Sequence, residues 1–144
     1  MRLVSIASGS SGNCIYVGSE STHLLVDVGI SNKKTEAGLN ECGLTGHDID
    51  GILVTHEHSD HIQGLGVISR KYGIPIYATA GTLEGICASR SLGQIEPELF
   101  HEINADVPFT VKDITINPMA VSHDAREPVA YRFQSENKRV AIAT

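Results

Sequence analysis

Six consecutive residues, His56, Glu57, His58, Ser59, Asp60 and His61, form the run His-x-His-x-Asp-His. It holds four side chains able to ligate a metal, three imidazoles and a carboxylate, which is the donor set of a transition-metal site. The run directly follows Gly51-Ile52-Leu53-Val54, a short apolar stretch suited to a buried strand. A strand that ends at Thr55 and opens into a loop can aim His56 and His58 at one ion, while Asp60 and His61 continue round the bend toward a second. A metal held there lowers the pKa of its bound water to about 7, which supplies a nucleophile for hydrolysis at neutral pH. The plain alternative is a chance cluster or an affinity tag. The internal position, the preceding strand and the placed aspartate argue against it.

The elements that must position these residues alternate in type. Strand patterns cover residues 3–7, 14–17 and 24–28, joined by short polar turns, so the sheet is expected to start antiparallel. Helical character runs over 33–42 and stops at Gly43. Beyond the histidine run come a helix over 64–72, a strand over 74–78 and a helix over 82–92. Strands then follow over 109–116, 119–121, 129–133 and 139–143. Strands and helices alternate through the middle, between two mainly antiparallel ends, which predicts an α/β layered domain over residues 1–144.

Composition narrows the function classes. A chain of 144 residues with 41% hydrophobic and 19% charged residues can bury a real core. Its net charge of −6 argues against bulk electrostatic capture of nucleic acid or an anionic membrane, although bound cations would add local positive charge. Cys14, Cys42 and Cys87 are scattered and odd in number, which fits a reducing compartment better than a disulfide framework. No apolar stretch is long enough to span a bilayer, and the expected location is the cytoplasm.

The run Thr55-His56-Glu57-His58-Ser59-Asp60-His61 resembles the signature of the metallo-β-lactamase fold hydrolases. The resemblance extends to Asp27 in Val26-Asp27-Val28-Gly29 and to His123 in Val121-Ser122-His123-Asp124, in matching order and separation. Residues 7–14, with their Ser-Gly-Ser-Ser-Gly-Asn core, and residues 122–131 are similar to the bacterial YycJ/WalJ-type exonuclease subgroup. The resemblance implies an αββα sandwich, of which this chain supplies the first half and the start of the second. It implies that His56, His58 and His123 hold one divalent ion and that Asp60 and His61 hold another, zinc or manganese, with iron also within reach of such ligands. Asp60 would also orient the attacking hydroxide. Asp27 would act on a ligand histidine, accepting its free ring N–H. On the residues alone, Asp27 also suits a turn before Gly29.

The implied substrate is DNA, cleaved by a 5′-to-3′ exonuclease; a thioester, lactone or β-lactam hydrolase would use the same ligand set. Ser10, Ser11 and Asn13 are candidates for touching substrate phosphate, on a segment that reads equally as a glycine-rich turn. His23, His47 and His101 carry no such support. Asp124 and Glu127 are carboxylates near His123, and Glu127 reads as part of a Pro-flanked turn. By the resemblance, an aspartate bridging both ions and a final histidine would follow residue 144. The chain is therefore expected to be a truncated form, a weak hydrolase or an inactive metal-binding fragment, prone to self-association through uncovered apolar sheet surface.

Overall fold

The computed structural model describes residues 1–136 and 138–143. Among the described residues, ten strands form two sheets. The first contains, in chain order, β1 (Arg2–Ala7), β2 (Cys14–Gly18), β3 (His23–Val26), β4 (Gly51–Leu53), β5 (Ile76–Thr79) and β6 (Phe100–Ile103). Pairing is antiparallel from β1 to β3 and parallel from β3 to β6. Parallel neighbours need crossovers. These carry α1 (Asn32–Glu41), the single turn α2 (Ser59–Ile62), α3 (Leu65–Tyr72) and α4 (Ala80–Ala88). The second sheet is an antiparallel meander of β7 (Phe109–Val111), β8 (Ile114–Ala120), β9 (Val129–Ser135) and β10 (Lys138–Ile142).

Side chains alternate across a strand. In β3, Leu25 points to the helices, where it joins Leu39, Ile52, Val54, Ile68 and Ile76. Its neighbours Leu24 and Val26 point the other way, onto Leu53, Ile116, Tyr131 and Phe133 between the two sheets. Strands β3 and β4 are thus buried on both faces, which accounts for their unbroken apolar sequence. The layers are helix, sheet and sheet, the αββ part of the expected sandwich.

Several expectations shift. The stretch 109–116 is a hairpin: the chain turns at Lys112, with φ +50°, and at Asp113. No glycine marks this turn, so the alternation of apolar residues reads through it. The strand expected at 119–121 is the end of β8, continuous through Pro118. The helix expected over 82–92 begins at Ala80 and ends at Ala88, followed by a separate 3₁₀ turn, Arg90–Leu92. Strand β6 was not expected, because Phe100-His101-Glu102-Ile103 lacks clean alternation. The open face of the second sheet is also not the apolar surface anticipated. It carries Thr115, Arg132, Gln134 and Arg139, all exposed. Among the described residues the large exposed hydrophobics are Leu3, Val67 and Val107, on separate elements.

Candidate metal centre

The histidines gather where β3 and β4 end, the side of a parallel sheet on which loops can diverge and leave a crevice. The backbone leaves β3 at Asp27 with φ +62°, a left-handed conformation that aspartate tolerates better than most residues. This bend turns the carboxylate under the next loop. Asp27 is 1% exposed, and its own N–H donates to Leu53 O at 2.8 Å. Its Oδ1 accepts the Thr55 N–H at 2.8 Å, and its Oδ2 accepts the Thr55 hydroxyl at 2.7 Å and His61 Nδ1 at 2.6 Å. Thr55 Oγ1 lies 2.9 Å from His56 Nδ1. Because that hydroxyl spends its proton on Asp27, it receives one from His56.

One carboxylate therefore assigns the tautomer of two imidazoles, His61 directly and His56 through Thr55. Both carry the proton on Nδ1 and leave the Nε2 lone pair free to ligate. Burial, reinforced by the nearby His61, His123 and His58, pulls the His56 pKa down to about 4, so its ring is neutral at pH 7. Burial pulls the His61 pKa down too, but the hydrogen bond and charge of Asp27 more than offset this and leave it raised. Burial pushes the Asp27 carboxyl above its ordinary value, against the pull of the His61 and Thr55 hydrogen bonds. Cys14, buried nearby, has its thiol pushed up to about 12 by burial and by the Asp27 charge, which makes it a packing residue.

His56, His58 and His123 come together. One ligand nitrogen from each lies within 4.8 Å of the others, with His56 buried, His58 half-buried and His123 exposed. Ring centroids are separated by 4.7 Å for His56 and His58, and by 4.4 Å for His56 and His123. His123 reaches the site because β9 docks on the strand end: Val129 N–H donates to Thr55 O at 3.0 Å, and the Tyr131 hydroxyl donates to Val54 O at 2.7 Å. On the other side, α2 swings Asp60 and His61 round so that His61 Nε2 stands 3.6 Å from Asp60 Oδ2. These imidazoles, two of them oriented through Asp27 and Thr55, and the adjacent carboxylate fit the donor requirements of divalent transition metals.

Asn13 stands within the second group. Its N–H donates to Asp60 O at 2.8 Å, and its Nδ2 lies 3.4 Å from Asp60 Oδ2 and 3.3 Å from His61 Nε2. Gly29 allows this approach, since a Cβ there would run into the Asp60 backbone. Ser10 and Ser11 lie exposed on the same loop. His23 bonds Tyr16, while His47 packs against Tyr72 and His101 against Tyr77, all outside the cluster. Glu127 is more than part of a turn: its Oε1 accepts the Gly81 N–H at 2.8 Å at the start of α4. Neither the Thr55 relay nor the place of Glu57, whose Oε2 accepts the Arg126 N–H at 3.0 Å, is visible in the sequence, because both depend on contacts between distant segments.

Residues 22–144 match the family model described as the beta-lactamase superfamily domain. Over 139 residues the chain is 44% identical to the exodeoxyribonuclease YycJ of Bacillus anthracis, and 42% identical to the exodeoxyribonuclease WalJ of Streptococcus pneumoniae serotype 2. Each alignment covers 96% of this chain and 52% of the relative, so the chain spans about half the length of the curated relatives it matches. Among solved structures, the metallo-β-lactamase SMB-1 superposes with a TM-score of 0.76 at 19% identity, over 93% of this chain and 58% of that one. This likeness concerns the fold, and it agrees with the two facing sheets described above. By the match over residues 22–144, the chain belongs to the beta-lactamase superfamily domain family.

Proposed function

We propose that this domain is the metal-binding part of a DNA phosphodiesterase, a 5′-to-3′ exonuclease at the full length of its relatives. The observation that carries this reading is the convergence of His56, His58 and His123 within 4.8 Å in a chain 44% identical to an exodeoxyribonuclease. His56, His58 and His123 would hold one zinc or manganese ion, and Asp60 and His61 a second. When bound, such ions supply a Lewis acid for the phosphoryl oxygens and an activated water at neutral pH.

The chain's own residues do the remaining work. Asp60 would orient the attacking hydroxide. Asp27 keeps His61, and through Thr55 also His56, in the ligating tautomer. Asn13 would turn a side-chain N–H from Gly9 O or Asp60 toward substrate phosphate, and the exposed Ser10 and Ser11 hydroxyls would extend that surface. No helix among the described residues is long and apolar enough to cross a membrane. The cytoplasm is the proposed location, in keeping with three free cysteines.

The test is single-turnover digestion of 5′-end-labelled duplex DNA with protein in excess and zinc or manganese present, so that weak activity registers. Release of labelled nucleotide from the 5′ end is expected, and its abolition in a His56→Ala, His58→Ala double variant. Turnover of a thioester or β-lactam with no DNA cleavage overturns the proposal in favour of a small-molecule hydrolase.

A further inference from the structure

Helix α4 contributes no ligand, yet both ligand loops rest on it. Gly81 and Gly85 are four residues apart and therefore share one face of the helix. A Cβ at Gly85 would run into Cγ of Glu57, and a Cβ at Gly81 would stand 2.7 Å from Cβ of Glu127. The helix thus has two notches, and a glutamate fills each. Glu57 lies between the ligands His56 and His58, and Glu127 lies four residues after His123.

The two glutamates also tie the loops together. Glu57 Oε2 accepts the Arg126 N–H at 3.0 Å, which joins the first ligand loop to the second. The Arg126 guanidinium spans 4.0 Å to Glu57 and 3.5 Å to Glu84 of α4. Glu127 caps the Gly81 N–H, and its backbone carbonyl accepts the Thr79 hydroxyl at 2.8 Å. Glu57 Oε1 is buried with no partner among the described residues, a destabilising arrangement for a carboxylate.

We propose that Glu57 is a positioning residue. Seated in the Gly85 notch, it sets the spacing between the His56/His58 loop and the His123 loop, while Glu127 in the Gly81 notch anchors the far end of the second loop. The inference rests on the metal-centre reading and is independent of the substrate.

The test is zinc affinity of the purified chain by competition with a chromophoric chelator. It is paired with the visible spectrum of the cobalt-substituted protein and with thermal midpoints in EDTA. Glu57→Ala weakens zinc binding by roughly 10- to 100-fold, as loss of a group that orients metal ligands does, and alters the cobalt spectrum. Glu57→Gln retains an oxygen for the Arg126 N–H and stays close to wild type. Gly85→Ala leaves every ligand and Glu57 itself in place but fills the notch, so it weakens zinc binding in the same way. Should Glu57→Ala fail to fold, Gly85→Ala decides. If the variants lower only the EDTA midpoint and keep wild-type zinc affinity and cobalt spectrum, the inference is wrong and the contact is packing alone. If the wild-type chain binds no zinc, the metal-centre reading falls and takes the inference with it.

Discussion

Asp27 has no access to solvent and accepts three hydrogen bonds, two from Thr55 and one from His61. Replacing it with asparagine preserves its size and its tolerance of positive φ, but puts a donor where an acceptor is needed. In Asp27→Asn, His61 is driven to the tautomer protonated on Nε2, which removes its ligating lone pair, and the Thr55 relay to His56 is disturbed. Zinc affinity should fall by about 10- to 100-fold, and metal-free stability by ~1–3 kcal/mol. Chelator competition and chemical denaturation measure the two losses. Unchanged metal affinity would remove Asp27 from the site. The candidate ligands stand out in the sequence because four of them crowd into one short run. His123 was readable only through the family resemblance, since one histidine after a strand has no local mark. Thr55, Glu57 and Arg126 could not be read, because their roles exist only once β4, α4 and the 122–128 segment are in contact.

At the scale of elements, the two sheets are joined at the opposite end by Asp113. Its Oδ1 accepts from Ser19 at 2.9 Å, Ser21 at 3.0 Å and Thr22, and its Oδ2 accepts from Ser135 at 3.0 Å. One side chain in the β7–β8 turn thereby holds the β2–β3 turn of the other sheet. These hydroxyls, Thr22 foremost, hold the carboxyl well below its ordinary 3.8. A depressed folded-state pKa stabilises fully above the ordinary value and is lost as pH falls below it. Asp113→Ala should therefore lower the thermal midpoint at neutral pH, and the gap from wild type should narrow from about pH 4 downward. Thermal scans of both proteins between neutral and strongly acidic pH would reveal this; a gap constant across the range would contradict it. The same turn explains a misread element. Its bend comes from Lys112 in a left-handed conformation and from hydroxyls on another sheet, neither of which alters the apolar alternation from Phe109 to Ile116.

For the whole molecule, the three-histidine group takes ligands from loops of both sheets, so an ion there binds only when the sheets are docked. A ligand that binds the folded state alone stabilises it by about 2.7 kcal/mol at a hundred times its Kd. For a chain of this size that should raise the thermal midpoint by roughly 8 °C. Calorimetry with and without zinc tests this, and His123→Ala should lose most of the shift. An equal shift in that variant would mean that zinc binds elsewhere. The layer order was legible because β3 and β4 are apolar on both faces while β8 and β9 alternate. The polar outer face of the second sheet is written in the same alternation.

The notches in α4 also bear on how this domain can be improved. Exchanging glycine for alanine inside a helix is a standard route to a hardier protein, with a gain of roughly 0.5–1 kcal/mol per site. Gly81 and Gly85 are conspicuous targets for it, and both are closed, because the space a methyl group would take is occupied by Glu127 and Glu57. This helix is kept weaker than its length allows, and the exchange that would strengthen most helices would here unseat the two glutamates.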